Sequence, residues 1–107
     1  MTMIDLGRLT QNRVRNLTGH ERGGEARSFF ELDTLDTNRE PVYVRAPDDL
    51  DAISTSFFQG MFAKSVKHYA DSSSFLEHYR FDVEPFIMEQ IIRGIDRVET
   101  KRTSAFN

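Results

Sequence analysis

The chain has 107 residues, 38% hydrophobic and 29% charged, with 14 Lys and Arg against 17 Asp and Glu for a net charge of -3. That is one domain's worth of chain, which argues against a two-domain enzyme, and the even spread of both charges excludes a basic nucleic-acid arm or an acidic tail. The lack of cysteine excludes disulfides, thiolate zinc and cysteine nucleophiles, and fits a reducing cytoplasm.

From the N-terminus, Met3 to Leu6 alternates apolar and polar residues and predicts a strand leading into Gly7, with Arg13 to Arg15 returning as a second strand of an edge hairpin. Thr18 and Glu21 have the spacing of a capping box. Ala26, Phe29 and Phe30 then fall at helical spacing, with Leu32 or Leu35 closing the stripe and the loop from Thr37 to Glu40 ending it. Gly23 and Gly24 weaken the early turns by roughly 1 kcal/mol each relative to Ala. Pro41 to Pro47 is β-branched and aromatic between two prolines, so it reads as a strand with Val42, Val44 and Ala46 on one face.

An acidic turn, Asp48 to Asp51, precedes Ile53 and a strong helix. Ser56 stands as the expected N-cap, with Gln59 as its capping-box partner. Phe58, Met61, Phe62, Val66 and Tyr69 mark the inner face, and the Ser72 to Ser74 tract is expected to end it. Tyr79, Phe81 and Val83 alternate as a further strand beginning near Phe75, and Pro85 opens a last helix carrying Ile87, Ile91, Ile95 and Val98. Residues 103–107 are expected to fray. Strands alternating with helices predict an α/β fold: a small mixed, largely parallel sheet with about three helices packed on it, in a single domain spanning 1–107. No run approaches the ~20 apolar residues of a membrane span, and no signal-peptide pattern opens the chain. The expectation is a cytoplasmic protein with neither membrane nor nucleic acid among its partners.

The search for chemistry finds little. His20, His68 and His78 lie on three elements without a second histidine at i+3 or i+4, so they read as ordinary histidines and not as metal ligands. Asp48, Asp49 and Asp51 read as a solvated turn, because no phosphate-cradling loop accompanies them. Neither a P-loop nor a Gly-x-Ser-x-Gly elbow is present, which moves the reading towards a binding protein without catalytic residues, cofactor or metal. Ser54, Thr55 and Ser56 stand out. They lie at a helix start, where exposed N–H groups and the helix dipole favour an added phosphate.

Gly24 to Phe29, Pro41 to Val44, the run Ile53-Ser54-Thr55-Ser56-Phe57-Phe58-Gln59-Gly60-Met61-Phe62, and Phe86 to Val98 together resemble the STAS-like domains of the small DUF4325 type. These are relatives of bacterial anti-sigma-factor antagonists, and the likeness covers about residues 17 to 102. The resemblance implies a sheet with helices packed on it that acts by protein–protein contact, with a kinase-like ATPase as partner. It also implies a phosphoacceptor at Ser56, with Thr55 and Ser54 as alternates. The antagonist pattern Asp-Ser-Ser/Thr-Gly is altered here, with Ile53 for the acid and Phe57 for the glycine.

The leading expectation is a non-enzymatic regulatory module docking through Asp51, Ser54, Ser56, Phe57, Gln59 and Gly60. A mobile-element-encoded inhibitor that binds a host protein through its acidic stretch is the second reading. A nucleotide- or phosphate-binding domain using the same helix start is the third. Nine Phe also leave room for a homo-oligomer.

Overall fold

Parallel strand pairing organises the chain, as the alternation of strands and helices predicts. The computed structural model describes residues 2–11 and 13–104. Among these, β1 (Thr2–Asp5), β3 (Val42–Arg45) and β5 (Tyr79–Asp82) form a sheet in the order β1-β3-β5. β2 (Asn16–Leu17) and β4 (Ala52–Ile53) form a separate two-stranded ribbon. Every pairing is parallel.

The expected edge hairpin does not form. β1 pairs with β3, Thr2 beside Val42 and Ile4 beside Val44, while Arg13 to Arg15 stays exposed outside any strand. Pairing falls instead on Asn16 and Leu17, because Leu17 and Ile53 are the side chains this ribbon buries. Between β1 and β2 lies the single turn α1 (Gly7–Thr10), closed by Gln11 in the left-handed region at φ 48°.

Helix α2 (His20–Phe29) is capped by Gly19, not Thr18. At φ 91° and ψ 130° the chain turns into the helix through a conformation that glycine adopts without strain. The expected stripe through Leu32 and Leu35 is also broken. Glu31 takes φ 56°, and Leu32 and Leu35 belong to a separate turn, α3 (Leu32–Leu35).

The central helix α4 (Thr55–His68) lies between α2 and α6 (Pro85–Ser104). The predicted inner face holds for Phe58, Met61, Phe62 and Val66, all buried, but not for Tyr69, which is half-buried just past the end of α4. Ile87, Ile91, Ile95 and Val98 on α6 are buried as expected. The serine tract does not terminate α4, which ends at His68 with Tyr69 as its C-cap; it opens the next helix. Asp71 accepts a hydrogen bond from the Ser74 N–H at 2.8 Å and caps α5 (Ser72–His78). Phe75 therefore enters the core from a helix, where its ring meets those of Phe62 and Tyr79 at 5.8 and 5.3 Å. α6 continues through Ser104, so 103–104 are helical where fraying is expected, and 105–107 lie outside the described residues. No helix among the described residues is long and apolar enough to cross a membrane.

α2 and α4 cross backbone against backbone. A Cβ built on Gly23 would stand 2.1 Å from the Phe57 carbonyl oxygen, and one on Gly60 would stand 2.0 Å from that of His20. A Cβ on Gly24 meets nothing within 4 Å. Gly23→Ala and Gly60→Ala are therefore each expected to cost about 3 kcal/mol or more, the upper end for overpacking. Gly24→Ala should hold or raise stability by up to ~1 kcal/mol through helix propensity. Urea unfolding of the three variants separates these outcomes.

Candidate functional site

The serine turn predicted from the sequence is built by the two-stranded ribbon. Ser54 follows β4 directly, and its N–H donates to the Leu17 carbonyl at 2.9 Å. On the preceding residue, the Ile53 N–H donates to Gln90 Oε1 of α6 at 2.7 Å. The turn is thus held from both sides before α4 begins.

The N-cap is Ser54, two residues earlier than expected. Its backbone is extended at φ -76° and ψ 157°, and its Oγ accepts from the Phe57 N–H at 3.0 Å. That geometry satisfies one of the donors a helix start leaves without an intrahelical acceptor. Phe57 holds the third helical position, so no carboxylate or amide reaches back and the Ser56–Gln59 capping box does not form. Ser56 is released from capping and stands exposed in the first turn, while Thr55 is half-buried.

The remaining expected contact residues divide. Asp51 is exposed, its N–H donating to the Arg15 carbonyl at 2.7 Å, and Gln59 is half-buried. Phe57 is only 2% exposed, and Gly60 is pressed against α2. Neither presents a side chain outward, because helix packing claims both. In the linear sequence both look like surface residues, because the helix they pack against is more than thirty positions upstream.

Beside this turn runs a groove of ≈ 690 Å³. Leu9, Val14, Leu17, Ala26, Phe29 and Phe57 line its apolar part. Phe29, expected in the core, is 54% exposed, with the Arg8 guanidinium 4.9 Å from its ring centroid, and Val14 is 43% exposed. Glu21, Arg22 and Glu25 of α2 supply charge along the same groove. An apolar floor with a charged margin suits a protein segment better than a small polar metabolite.

The densest polar cluster lies elsewhere, in the core. Arg27 of α2 donates from its terminal nitrogens to the Met61 carbonyl (2.9 Å), Ser65 Oγ (2.8 Å), Asp33 Oδ1 (2.7 Å) and Asp36 Oδ2 (2.6 Å). The hydroxyls of Ser65 and Tyr79 both donate to Asp36 Oδ1, each at 2.5 Å. Burial opposes the Arg27 charge, yet hydrogen bonds and attraction from Asp36 and Asp33 outweigh it and raise the pKa. The Arg27 hydrogen bond, then its charge, hold exposed Asp33 below the usual carboxylate range. Burial, reinforced by the Asp36 hydrogen bond and charge, pushes the Tyr79 phenol up strongly, and burial raises Tyr69 too. Ser65 and Tyr79 are fully buried, so the cluster joins α2, α4 and β5, while at its outer edge Arg27 and exposed Asp33 line a groove of ≈ 490 Å³ with His20 and Lys64. Removing one partner of such a buried pair typically costs about 3–5 kcal/mol.

Of the histidines, His78 touches the core polar cluster, its ring 4.9 Å from that of Tyr79 and 5.4 Å from that of Tyr69. His20 and His68 are exposed, and His78 donates from Nε2 to the Leu35 carbonyl at 2.7 Å. No group of three or more His, Cys, Asp or Glu among the described residues is placed to hold a metal ion. Asp48, Asp49 and Asp51 are exposed around the buried Leu50. No family model matches the chain, and no curated protein or solved structure matches it either.

Two measurements check this description. Ser54→Ala should cost about 1 kcal/mol as a lost N-cap, whereas Ser56→Ala should stay within about 0.5 kcal/mol as an exposed substitution, read from chemical unfolding. For Tyr79 the folded pKa lies above the unfolded one, so its stabilisation is complete below about pH 10 and lost as pH rises further. Urea midpoints from about pH 8 to about pH 11 should therefore fall less steeply in Tyr79→Phe than in the parent, Tyr69 supplying part of the residual slope.

Proposed function

We propose that this protein is a non-enzymatic regulatory module of STAS-like type that works by binding another protein at the start of α4 and along the neighbouring groove. The observation that carries this reading is the groove itself: its apolar lining includes exposed Phe29 and Val14 and ends at Phe57, in the first turn of α4. Exposed Ser56 stands one residue before Phe57. A phosphate on its hydroxyl would add about -1.5 to -2 charges beside the helix N-terminus and change the field a partner meets. The parallel sheet with helices against one face supports the resemblance to anti-sigma-factor antagonists, and that resemblance makes a kinase-like ATPase the partner class. A cytoplasmic setting belongs to the same proposal and is supported by the absence of cysteine from the chain.

Site-specific photocrosslinking in the source cells tests this. A photoreactive phenylalanine analogue at Phe29 or at Ser56 should yield one discrete protein adduct. In the Phe29-labelled chain, Ser56→Glu should reduce the yield at least about tenfold, a charge effect of ordinary interface size. No adduct from either position, with a clear one from the same analogue at Tyr43, would overturn the assignment of this surface.

A further inference from the structure

Among the described residues, no helix buries one face of the three-stranded sheet. Ile4, Val42, Val44 and Tyr79 turn into the core. On the other face the strand register aligns Met3, Tyr43 and Arg80 in one row and Asp5, Arg45 and Asp82 in the next. Met3 is 43% exposed, Tyr43 is half-buried, and the four charged side chains of these rows are exposed. Parallel sheets are almost always covered on both faces, because crossover helices lie over each. Here the crossovers leave one layer missing.

Charge on this face is lopsided. Asp48 and Glu84 join Arg45 and Asp82 around a dent of ≈ 140 Å³ where β3 and β5 end. Asp5 stands beside Arg45 on the adjoining strand. The carboxylates Asp5, Asp48, Asp82 and Glu84 thus gather around a single arginine at one end of the face. Next to them lies the row of Met3 and Tyr43, with Arg80 at its far edge, so four carboxylates stand against two arginines on the face as a whole.

We infer that this open face docks a basic amphipathic helix of a partner protein, the apolar side of that helix over Met3 and Tyr43 and its Lys or Arg side chains on the carboxylate rim. A helix is the element that completes a layer on a bare sheet. Its basic character follows from the charge of the rim, since complementary potentials steer and orient a docked segment. A second copy fits less well. A two-fold pair brings the same surface to both sides, and this surface is mainly acidic where it is charged. The inference concerns a different surface from the groove and stands or falls apart from the regulatory reading above.

The test uses the full chain and two synthetic peptides of identical leucine and lysine composition. One spaces its leucines three and four residues apart to form an apolar helix stripe, and the other is scrambled to have none. Fluorescence anisotropy should show the amphipathic peptide binding about tenfold tighter than the scrambled one, with both weakening as salt rises. The pair Met3→Ser and Tyr43→Ser should abolish the preference between peptides. The pair Asp82→Lys and Glu84→Lys, at exposed positions, should weaken binding about tenfold and flatten the salt dependence, which keeps the test intact if the first pair disturbs folding. Equal affinity for the two peptides, or parental affinity in both variant pairs, overturns the inference. Sedimentation showing a parental dimer that Met3→Ser and Tyr43→Ser dissociate would assign the face to a second copy and overturn it as well. Ser56→Glu should leave peptide affinity as it was; its loss there would move the docking to the groove.

Discussion

Asp36 sits where four parts of the chain converge, and its carboxylate is shared by Arg27 of α2, Ser65 of α4 and Tyr79 of β5. Its backbone carbonyl takes the Tyr69 hydroxyl at 3.0 Å as well. A buried carboxylate with no partners is far too costly to keep charged, so each of these donors has to arrive at its place for the others to be tolerated. The result is a set of distances that apolar packing alone would leave loose. Apolar contacts tolerate small slides between elements, whereas a bifurcated guanidinium contact fixes direction as well as separation. The position of α2 over α4, and of α4 over β5, follows from it.

The elements that could be read from the sequence are those whose buried residues keep a simple period. β3 shows period two through Val42 and Val44, and α4 and α6 show helical spacing through Phe58, Phe62, Ile87 and Ile91. α2 is legible as a helix, with Ala26 on its inner face, but the rest of that face is Gly23 and Arg27, which mark no apolar stripe, so in the sequence pattern Phe29 takes the place that Arg27 holds. Arg27 looks like a surface charge until Asp36 and Ser65 are placed beside it. The serine tract looked like a terminator because Asp71, one residue upstream, was not recognised as a cap for a new helix. In each case the deciding partner is distant in sequence or hidden in a turn.

The candidate site was legible in outline and displaced in detail. The hydroxyl-bearing turn before α4 lies at the predicted place, but the capping duty falls on Ser54, because β2 fixes that residue through the Leu17 carbonyl. This frees Ser56, the residue the family resemblance singles out, from a structural role. The groove had no signature in the sequence. Its walls come from α1, β2 and the segment before it, α2 and α4, whereas the sequence pattern puts Phe29 in a core stripe and Val14 in an edge strand. The bare sheet face was hidden for a related reason: alternation in a strand shows which residues turn inward, and says nothing about whether the outward ones receive a second layer.

The crossing at Gly23 and Gly60 has a consequence for how far α2 and α4 can move against each other. Two helices in direct main-chain contact lack the pliable side-chain cushion that lets neighbouring rods slip by an ångström when something binds. The joint behaves as a weld. A charge added at the head of α4 would therefore change the field at that spot and leave the body of the domain in place.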